Sequence, residues 1–177
     1  MDYTQKRRQS LRLKGFDYSQ PRNYFVTICT HKKRHILGAI EGARMVLSPA
    51  GEAVLATWLN LPRRFAMVAA REFVIMPNHV HAILGFMRPL AAASRGAARS
   101  APTAGKPTVL NPTLGSVIRA FKSLSAMEVN RVLGRTGEAV WQRNYYEHVV
   151  RNADEYDRIR AYILKNPMHW DTDPENV

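Results

Sequence analysis

An α+β fold with an antiparallel sheet is what this sequence predicts, and three observations carry the prediction. Short runs rich in β-branched and aromatic residues alternate with stretches that place apolar residues at helical spacing. Two of those runs sit back to back with only Pro77-Asn78 between them, which marks a tight hairpin. A further amphipathic helix closes the chain, so the order reads β-α-β-β-α-β plus a terminal helix. That is the split βαβ pattern of a ferredoxin-like sheet, with helices on one face and a last helix left over.

The elements follow in order. Asn23-Tyr-Phe-Val-Thr-Ile-Cys-Thr30, bounded upstream by Pro21, is the first strand. Ser48 caps a helix that has Pro49 in its first turn and Val54, Leu55, Trp58 and Leu59 at helical spacing. Glu72–Met76 and His79–Phe86 form the hairpin. The segment of about 88–113 is rich in Ala, Pro, Gly and Ser, carries Arg88, Arg95, Arg99 and Lys106 without an acid, and reads as a flexible basic loop inside the domain. Leu114, Val117, Ile118, Phe121 and Leu124 form the stripe of a second helix, flanked by Arg119 and Lys122. Residues 139–150 suit a fourth strand, and Asn152 caps a final helix from about Ala153 to Lys165 that ends before Pro167.

The 177 residues predict one domain, 1–177, with a basic arm at about 1–20. Hydrophobic residues make up 46% and charged residues 23%, enough apolar content to bury a core. No apolar run approaches the roughly 20 residues that cross a bilayer, so neither a membrane nor a secreted reading is supported. The single cysteine, Cys29, excludes an internal disulfide framework or a multi-cysteine metal site and fits a reducing cytoplasm. The net charge of +12 points to a polyanion, with nucleic acid the leading partner and a nucleoid-associated protein the expected setting. No small-molecule substrate is expected. The best candidates for phosphate contacts are Arg7, Arg8, Arg12 and Lys14 in the arm, Lys32, Lys33 and Arg34 after the first strand, and Arg119 and Lys122 on the second helix. Tyr24, Phe25 and Tyr145 are candidates for stacking on unpaired bases, with core packing the competing role.

His79 and His81 are two apart on a strand, so both imidazoles share one face while Val80 and Ala82 share the other. Alone, such a pair is equally two polar residues on a solvated sheet face. Tyr162 and Asn166, four apart on the last helix, can bring a phenol and an amide oxygen to one point above that sheet. Two imidazoles and an amide oxygen leave open positions on a divalent ion, the arrangement that polarises a scissile phosphate. Mg²⁺ or Mn²⁺ suits a phosphate substrate, and imidazole ligation tilts the choice toward Mn²⁺. A tyrosine beside such an ion can attack phosphorus and form a phosphotyrosyl link. Tyr156, six residues earlier and on another face, is the rival nucleophile and reads as a packing residue. His148 and Glu147 read as surface residues or a general base, and His31 and His35 as phosphate contacts or a solvated loop.

Met76-Pro-Asn-His-Val-His-Ala-Ile-Leu84 resembles the His-hydrophobic-His motif of single-strand-specific HUH tyrosine transposases and relaxases. The block Trp141-Gln-Arg-Asn-Tyr-Tyr-Glu-His-Val-Val-Arg-Asn-Ala-Asp-Glu-Tyr156, with Tyr162-Ile-Leu-Lys-Asn-Pro167, is similar to the closing block of the REP-associated tyrosine transposases. Arg12-Leu-Lys-Gly-Phe-Asp-Tyr18 and Tyr24–Thr30 resemble that family's opening. The likeness covers nearly the whole chain except the 88–113 loop and the acidic tail. It implies that His79, His81 and Asn166 are metal ligands and Tyr162 the nucleophile. It also implies cleavage of single-stranded DNA near REP-like hairpins, through a 5′-phosphotyrosine and a free 3′-OH, without ATP. The REP-associated branch implies a monomer, whereas insertion-sequence relatives form dimers. A non-catalytic module that grips hairpin nucleic acid on the same fold is the rival reading, and a two-histidine hydrolase that uses water is a third.

Overall fold

The structure is a computed structural model and describes residues 21–87 and 112–176. The basic arm, with Arg7, Arg8, Arg12 and Lys14, and nearly all of the 88–113 segment lie outside the described residues. The first strand, β1 (Asn23–Cys29), is followed by a hairpin of β2 (Gly38–Glu41) and β3 (Arg44–Leu47), then by helices α1 (Pro49–Leu59) and α2 (Leu61–Arg64). β4 (Val68–Met76) and β5 (His79–Phe86) form the second hairpin, and α3 (Leu114–Val132), β6 (Tyr146–Val150) and α4 (Ala153–Lys165) complete the fold, with a 3₁₀ segment at Asn166–Thr172. The main sheet has the order β4-β5-β1-β6, every neighbour antiparallel, so β5 is inserted between β1 and β4. This is the split βαβ sheet that the order of elements predicts.

Alternation along the strands sorts the sheet into two faces, and both are covered. Tyr24, Val26 and Ile28 of β1 and Val80, Ala82 and Leu84 of β5 pack on Val54 and Trp58 of α1 and Val117, Ile118 and Phe121 of α3. Trp58 stacks on Phe73 at 4.4 Å between ring centroids and meets Phe121 edge-on at 5.6 Å. Truncating an aromatic in such a core costs about 3–5 kcal/mol. On the opposite face Phe25, Ile83 and Val150 form a smaller cluster with Ile163 of α4. The predicted caps form as well: Ser48 accepts from the Gly51 amide and Asn152 from the Glu155 amide.

Three elements depart from expectation. The β2–β3 hairpin turns on Gly42 and Ala43, both at positive φ as a two-residue type I′ connection requires. The predicted strand over 139–150 is regular only at Tyr146–Val150, because Val140 and Trp141 owe their apolar character to burial against α3. Trp141 donates its indole N–H to Ser125 at 2.9 Å. Leu59, expected on the buried stripe of α1, is 65% exposed at the helix end. Tyr24 is fully buried in the main core, so its ring is packed rather than presented for stacking on bases.

Candidate metal and tyrosine centre

The β4–β5 turn is where the site begins. Pro77 and Asn78 are the only residues between paired Met76 and His79, and the turn is buried rather than exposed. Its backbone is satisfied from other segments: the Thr30 amide donates to the Asn78 carbonyl at 2.8 Å and the Leu37 amide to the Pro77 carbonyl at 3.1 Å. His79 and His81 leave this turn on the α4 face of β5, where they are 0% and 2% exposed. Their Nε2 atoms lie 3.0 Å apart.

The hydrogen-bond network assigns the tautomers. Asn78 donates its amide N–H to the Glu175 carbonyl at 2.8 Å, which leaves Asn78 Oδ1 facing His79 Nδ1, also at 2.8 Å. The proton of a neutral His79 therefore sits on Nδ1, and Nε2 presents a lone pair. Thr27 Oγ1 stands 2.8 Å from His81 Nδ1, and with that hydroxyl accepting, His81 takes the same tautomer. Two lone pairs then face each other across 3.0 Å, an arrangement that a shared cation relieves. A proton does not serve at neutral pH, because burial, followed by the nearby His81, pushes the pKa of His79 down to about 3.

The third group comes from the chain end. After α4 the 3₁₀ segment turns back over β5, and Asp173, 7% exposed, reaches the histidines with a carboxylate oxygen 4.0 Å from His81 Nε2. His79, His81 and Asp173 each offer a ligand atom, all within 4.8 Å of one another. The two Nε2 atoms are 3.0 Å apart, close enough to be donors to one small cation. The donor set of two imidazoles and one carboxylate is therefore suited to a divalent cation. Burial opposes ionisation of Asp173, but the His81 ring, the Asn166 amide and the Glu175 amide hold its carboxyl well below the ordinary range.

Asn166 lies at the same place and is itself tied to Asp173. Its Nδ2 donates to Asp173 at 2.8 Å, while its Oδ1 is buried with no hydrogen-bond donor among the described residues. A buried amide oxygen without a donor is chemically suited to a cation. Asp173 was not foreseen; it stands with Asp171 and Glu175 in a tail read only as acidic. Thr27 and Asn78, which orient the rings, were also missed although they stand on or beside the elements that carry them.

Tyr162 meets this cluster from α4. Its hydroxyl is 3.2 Å from His81 Nε2 and its ring stands edge-on to Phe25 at 6.2 Å, with 42% of the residue exposed. Burial and then the Asp173 charge push its pKa up to about 12, so the phenol is protonated at neutral pH. Tyr156 is placed quite differently: its hydroxyl donates to Glu72 of β4 at 2.6 Å and its ring packs beside Phe25's cluster. The Phe25 ring itself stacks on His81 at 5.5 Å, so it is a wall of the site.

The predicted phosphate contacts divide. Lys32 and Arg119 are exposed, but Lys33 is ion-paired with Glu175 of the tail, and Arg34 donates to the Ala139 carbonyl at 2.7 Å. Lys122 requires correction. It is half-buried on α3, across the sheet from Tyr162, and its ammonium donates to the carbonyls of Gln142, Arg143 and Asn144. Three donors meet three acceptors, so Lys122 anchors the segment before β6 rather than facing a polyanion. His148, half-buried, pairs with Glu155 at 2.8 Å and fastens α4 to β6 away from the histidine pair.

No helix among the described residues is long and apolar enough to cross a membrane. No protein-family model matches the chain. Its fold is similar to that of a solved REP-associated tyrosine transposase bound to a REP hairpin, with a TM-score of 0.57, 16% sequence identity, and coverage of 92% of this chain and 74% of that one. In sequence it is 36% identical over 168 residues to an uncharacterized protein of Haemophilus influenzae, a match that covers 94% of this chain and 91% of the other. At that identity over nearly the full length of both, the chain belongs to the family of the Haemophilus influenzae protein.

Proposed function

We propose that this protein is a metal-dependent endonuclease and strand transferase of single-stranded DNA that cuts near REP-like hairpins, with Tyr162 as nucleophile. The observation that carries the reading is the convergence, on one covered sheet face, of His79, His81 and Asp173 with the Tyr162 hydroxyl 3.2 Å from His81 Nε2. The hairpin-bound structure whose fold this chain shares supports a nucleic-acid partner, and the +12 charge agrees with one.

His79, His81 and Asp173 would hold Mg²⁺ or Mn²⁺, with the Asn166 amide oxygen as a further ligand. Such an ion supplies charge neutralisation at the scissile phosphate. Tyr162 is exposed enough to meet a phosphate and close enough to the ligand set to attack it there. Its oxygen forms a bond to phosphorus as the bond from phosphorus to the 3′-oxygen breaks, and the phenol's proton is replaced on the departing 3′-OH through solvent. The phosphodiester energy is kept in the phosphotyrosine, so reversal by another 3′-OH joins strands without ATP. Phe25 and Trp170, the latter stacked beside His79 at 6.2 Å, wall the imidazoles off from bulk water.

The test is incubation with end-labelled hairpin DNA from the protein's genomic neighbourhood, with and without Mn²⁺, followed by a denaturing gel. A metal-dependent adduct of one protein mass is expected, lost in Tyr162→Phe and kept in Tyr156→Phe. Binding without cleavage would give the protein over to a regulatory hairpin-binding role, and cleavage that survives Tyr162→Phe would refute the assigned nucleophile.

A further inference from the structure

α4 meets the sheet along a narrow seam. Of its 13 residues only Ile163 is buried, with Tyr156 and Ile159 half-buried in the same small cluster. At about 100° per residue, Ile159 and Ile163 face the sheet in the middle of that seam. Tyr156 and Arg160 stand about 40° apart on one flank, and Tyr162 and Asn166 about 40° apart on the other. Ile163 fixes which face of α4 meets the sheet, and bonds on the flanks trim the roll of the helix within that face. On the Tyr162 flank the first turn is tied down by Glu155, 2.8 Å from His148 of β6.

The flank away from Tyr162 is held by one carboxylate. Glu72 of β4 accepts from the Tyr156 hydroxyl at 2.6 Å through Oε2 and from Arg160 Nε at 3.1 Å through Oε1, and so bridges two successive turns of α4. β4 can offer Glu72 there because its register slips: Ala70 pairs with Leu84 but Phe73 with Ala82, so Arg71 and Glu72 share the place of one residue and the strand bulges. A bulge re-aims side chains. Both residues reach the same tyrosine, the Arg71 guanidinium 5.9 Å from the centroid of the Tyr156 ring and Glu72 on its hydroxyl. Gly85 on the next strand makes room for Arg71, since a Cβ there would stand 2.5 Å from its Nε. Burial opposes ionisation of Glu72, but the bonds from Tyr156, its own backbone and Arg160 hold its carboxyl below the ordinary range, so both oxygens remain acceptors.

We infer that Glu72 is a positioning residue for Tyr162: by tying the Tyr156–Arg160 flank of α4 to β4 it sets the roll of the helix, and the roll sets where the phenol stands over His81. The inference rests on Tyr162 as nucleophile and deepens that reading. Glu72 bonds to α4 on the flank away from the phenol, so it acts through the pose of the helix. A roll of about 10° moves an atom about 6 Å from the helix axis by about 1 Å. The Tyr162 hydroxyl stands 3.2 Å from His81 Nε2, and a displacement of about 1 Å at a reacting group costs about 100-fold in rate.

The experiment reads covalent adduct formation in a single turnover at saturating hairpin DNA and Mn²⁺, and DNA affinity by fluorescence anisotropy. The place of the phenol is read by fluorine NMR of metal-free, fluorotyrosine-labelled protein, with the Tyr162 signal assigned from Tyr162→Phe. Glu72→Ala should slow adduct formation about 10- to 100-fold and shift the Tyr162 signal, while DNA affinity changes less than about 3-fold. Tyr156→Phe and Arg160→Gln each leave Glu72 one bond and should stay within about 5-fold of the wild-type rate. Combined, they should match Glu72→Ala, which keeps the test decisive if that variant folds poorly. Lys122→Met removes an anchor on the other side of the sheet and should leave both the rate and the Tyr162 signal in place. A wild-type rate or an unmoved Tyr162 signal in Glu72→Ala would overturn the inference. So would an equal slowing in Lys122→Met, which would make the loss one of general stability, or a DNA affinity that falls as far as the rate, which would put Glu72 in the binding surface. If the wild type forms no adduct, the nuclease reading fails, and the Tyr162 signal alone decides whether Glu72 sets the phenol.

Discussion

Replacing Asn78 with alanine separates what the turn does for the fold from what it does for the histidines. Asn78 is fully buried and uses both ends of its amide, accepting from His79 Nδ1 and donating to the Glu175 carbonyl, each at 2.8 Å. Asn78→Ala strands a buried imidazole N–H and a partly buried carbonyl, and each unsatisfied group costs about 1–3 kcal/mol. The carbonyl can turn to water, so the expected loss is about 2–4 kcal/mol, read from urea unfolding in EDTA. The same change removes the bond that keeps the His79 proton on Nδ1 and the ring turned toward His81. Loss of an orienting partner of this kind weakens metal binding about 10- to 100-fold, which titration calorimetry of Mn²⁺ into the metal-free protein would read. Asn78→Asp is the companion variant: it keeps an acceptor at Nδ1 but loses the donor to Glu175. It should bind Mn²⁺ within a few-fold of the wild type while unfolding more easily. If Asn78→Ala loses stability yet binds Mn²⁺ as tightly as wild type, the account of how the imidazole is oriented is wrong.

Three further outcomes are expected. Asp173→Asn should weaken Mn²⁺ binding by about 10-fold or more, since charge count sets affinity for hard cations, and should lower the Tyr162 pKa from its value of about 12, because the Asp173 charge helps raise it; an unchanged ultraviolet titration would contradict this. In metal-free protein, stability should fall with pH. His79 titrates near 3 when folded and near 6.5 when unfolded, so its contribution is whole above about 6.5 and is lost below it at about 1.4 kcal/mol per pH unit, about 2 kcal/mol between pH 7 and 5. Asp173, depressed when folded, adds its own loss only below the ordinary carboxylate range. A urea midpoint that holds from pH 7 to 5, or that falls equally in His79→Gln, would sink that assignment. Lys122→Met should cost about 1–3 kcal/mol through three unmet carbonyls while leaving DNA affinity within about 2-fold; a large loss of DNA binding at full stability would restore Lys122 to the interface.

Patterns that repeat along the chain were readable; contacts that close the chain on itself were not. Alternation placed Val80 and Ala82 inward and His79 and His81 together, and helical spacing with Asn152 and Pro167 set the bounds of α4 where the structure has them. The β2–β3 hairpin escaped because its strands are four residues each and alternate only between half-buried and exposed positions, so no strong apolar periodicity stands between Gly38, Gly42 and Ser48. Asp173 escaped for a deeper reason. It is 92 residues beyond His81 and in no periodic element, and an acid in a tail has no sequence mark that distinguishes solvent from a buried ligand set. The last helix was expected over the histidine face; the 3₁₀ segment and tail that also lie over it were not, and they are held there by the Lys33–Glu175 pair and by Asn78 on the Glu175 carbonyl.

The phase of α4 decides which of its tyrosines meets the histidine pair. Six residues at about 100° each separate Tyr156 from Tyr162, a net rotation of about 240° around the axis, so the two phenols leave the helix in different directions. With Ile163 turned into the small core against Phe25 and Ile83, the helix is pinned in rotation. That pin sends Tyr156 to the bulge of β4, where Glu72 takes its hydroxyl, and Tyr162 to His81 of β5. Asn166, four residues on, comes round to the same side one turn later and meets Asp173. Because Ile163 anchors both placements, enlarging the cavity around it should disturb the phenol and the Asn166 amide together while Tyr156 keeps Glu72. Ile163→Ala, at about 2–5 kcal/mol for a buried isoleucine, should therefore lower the yield of covalent adduct more than it lowers DNA binding. Equal losses of both would mean that the site tolerates rotation of α4 and that the helix phase is not what selects the nucleophile.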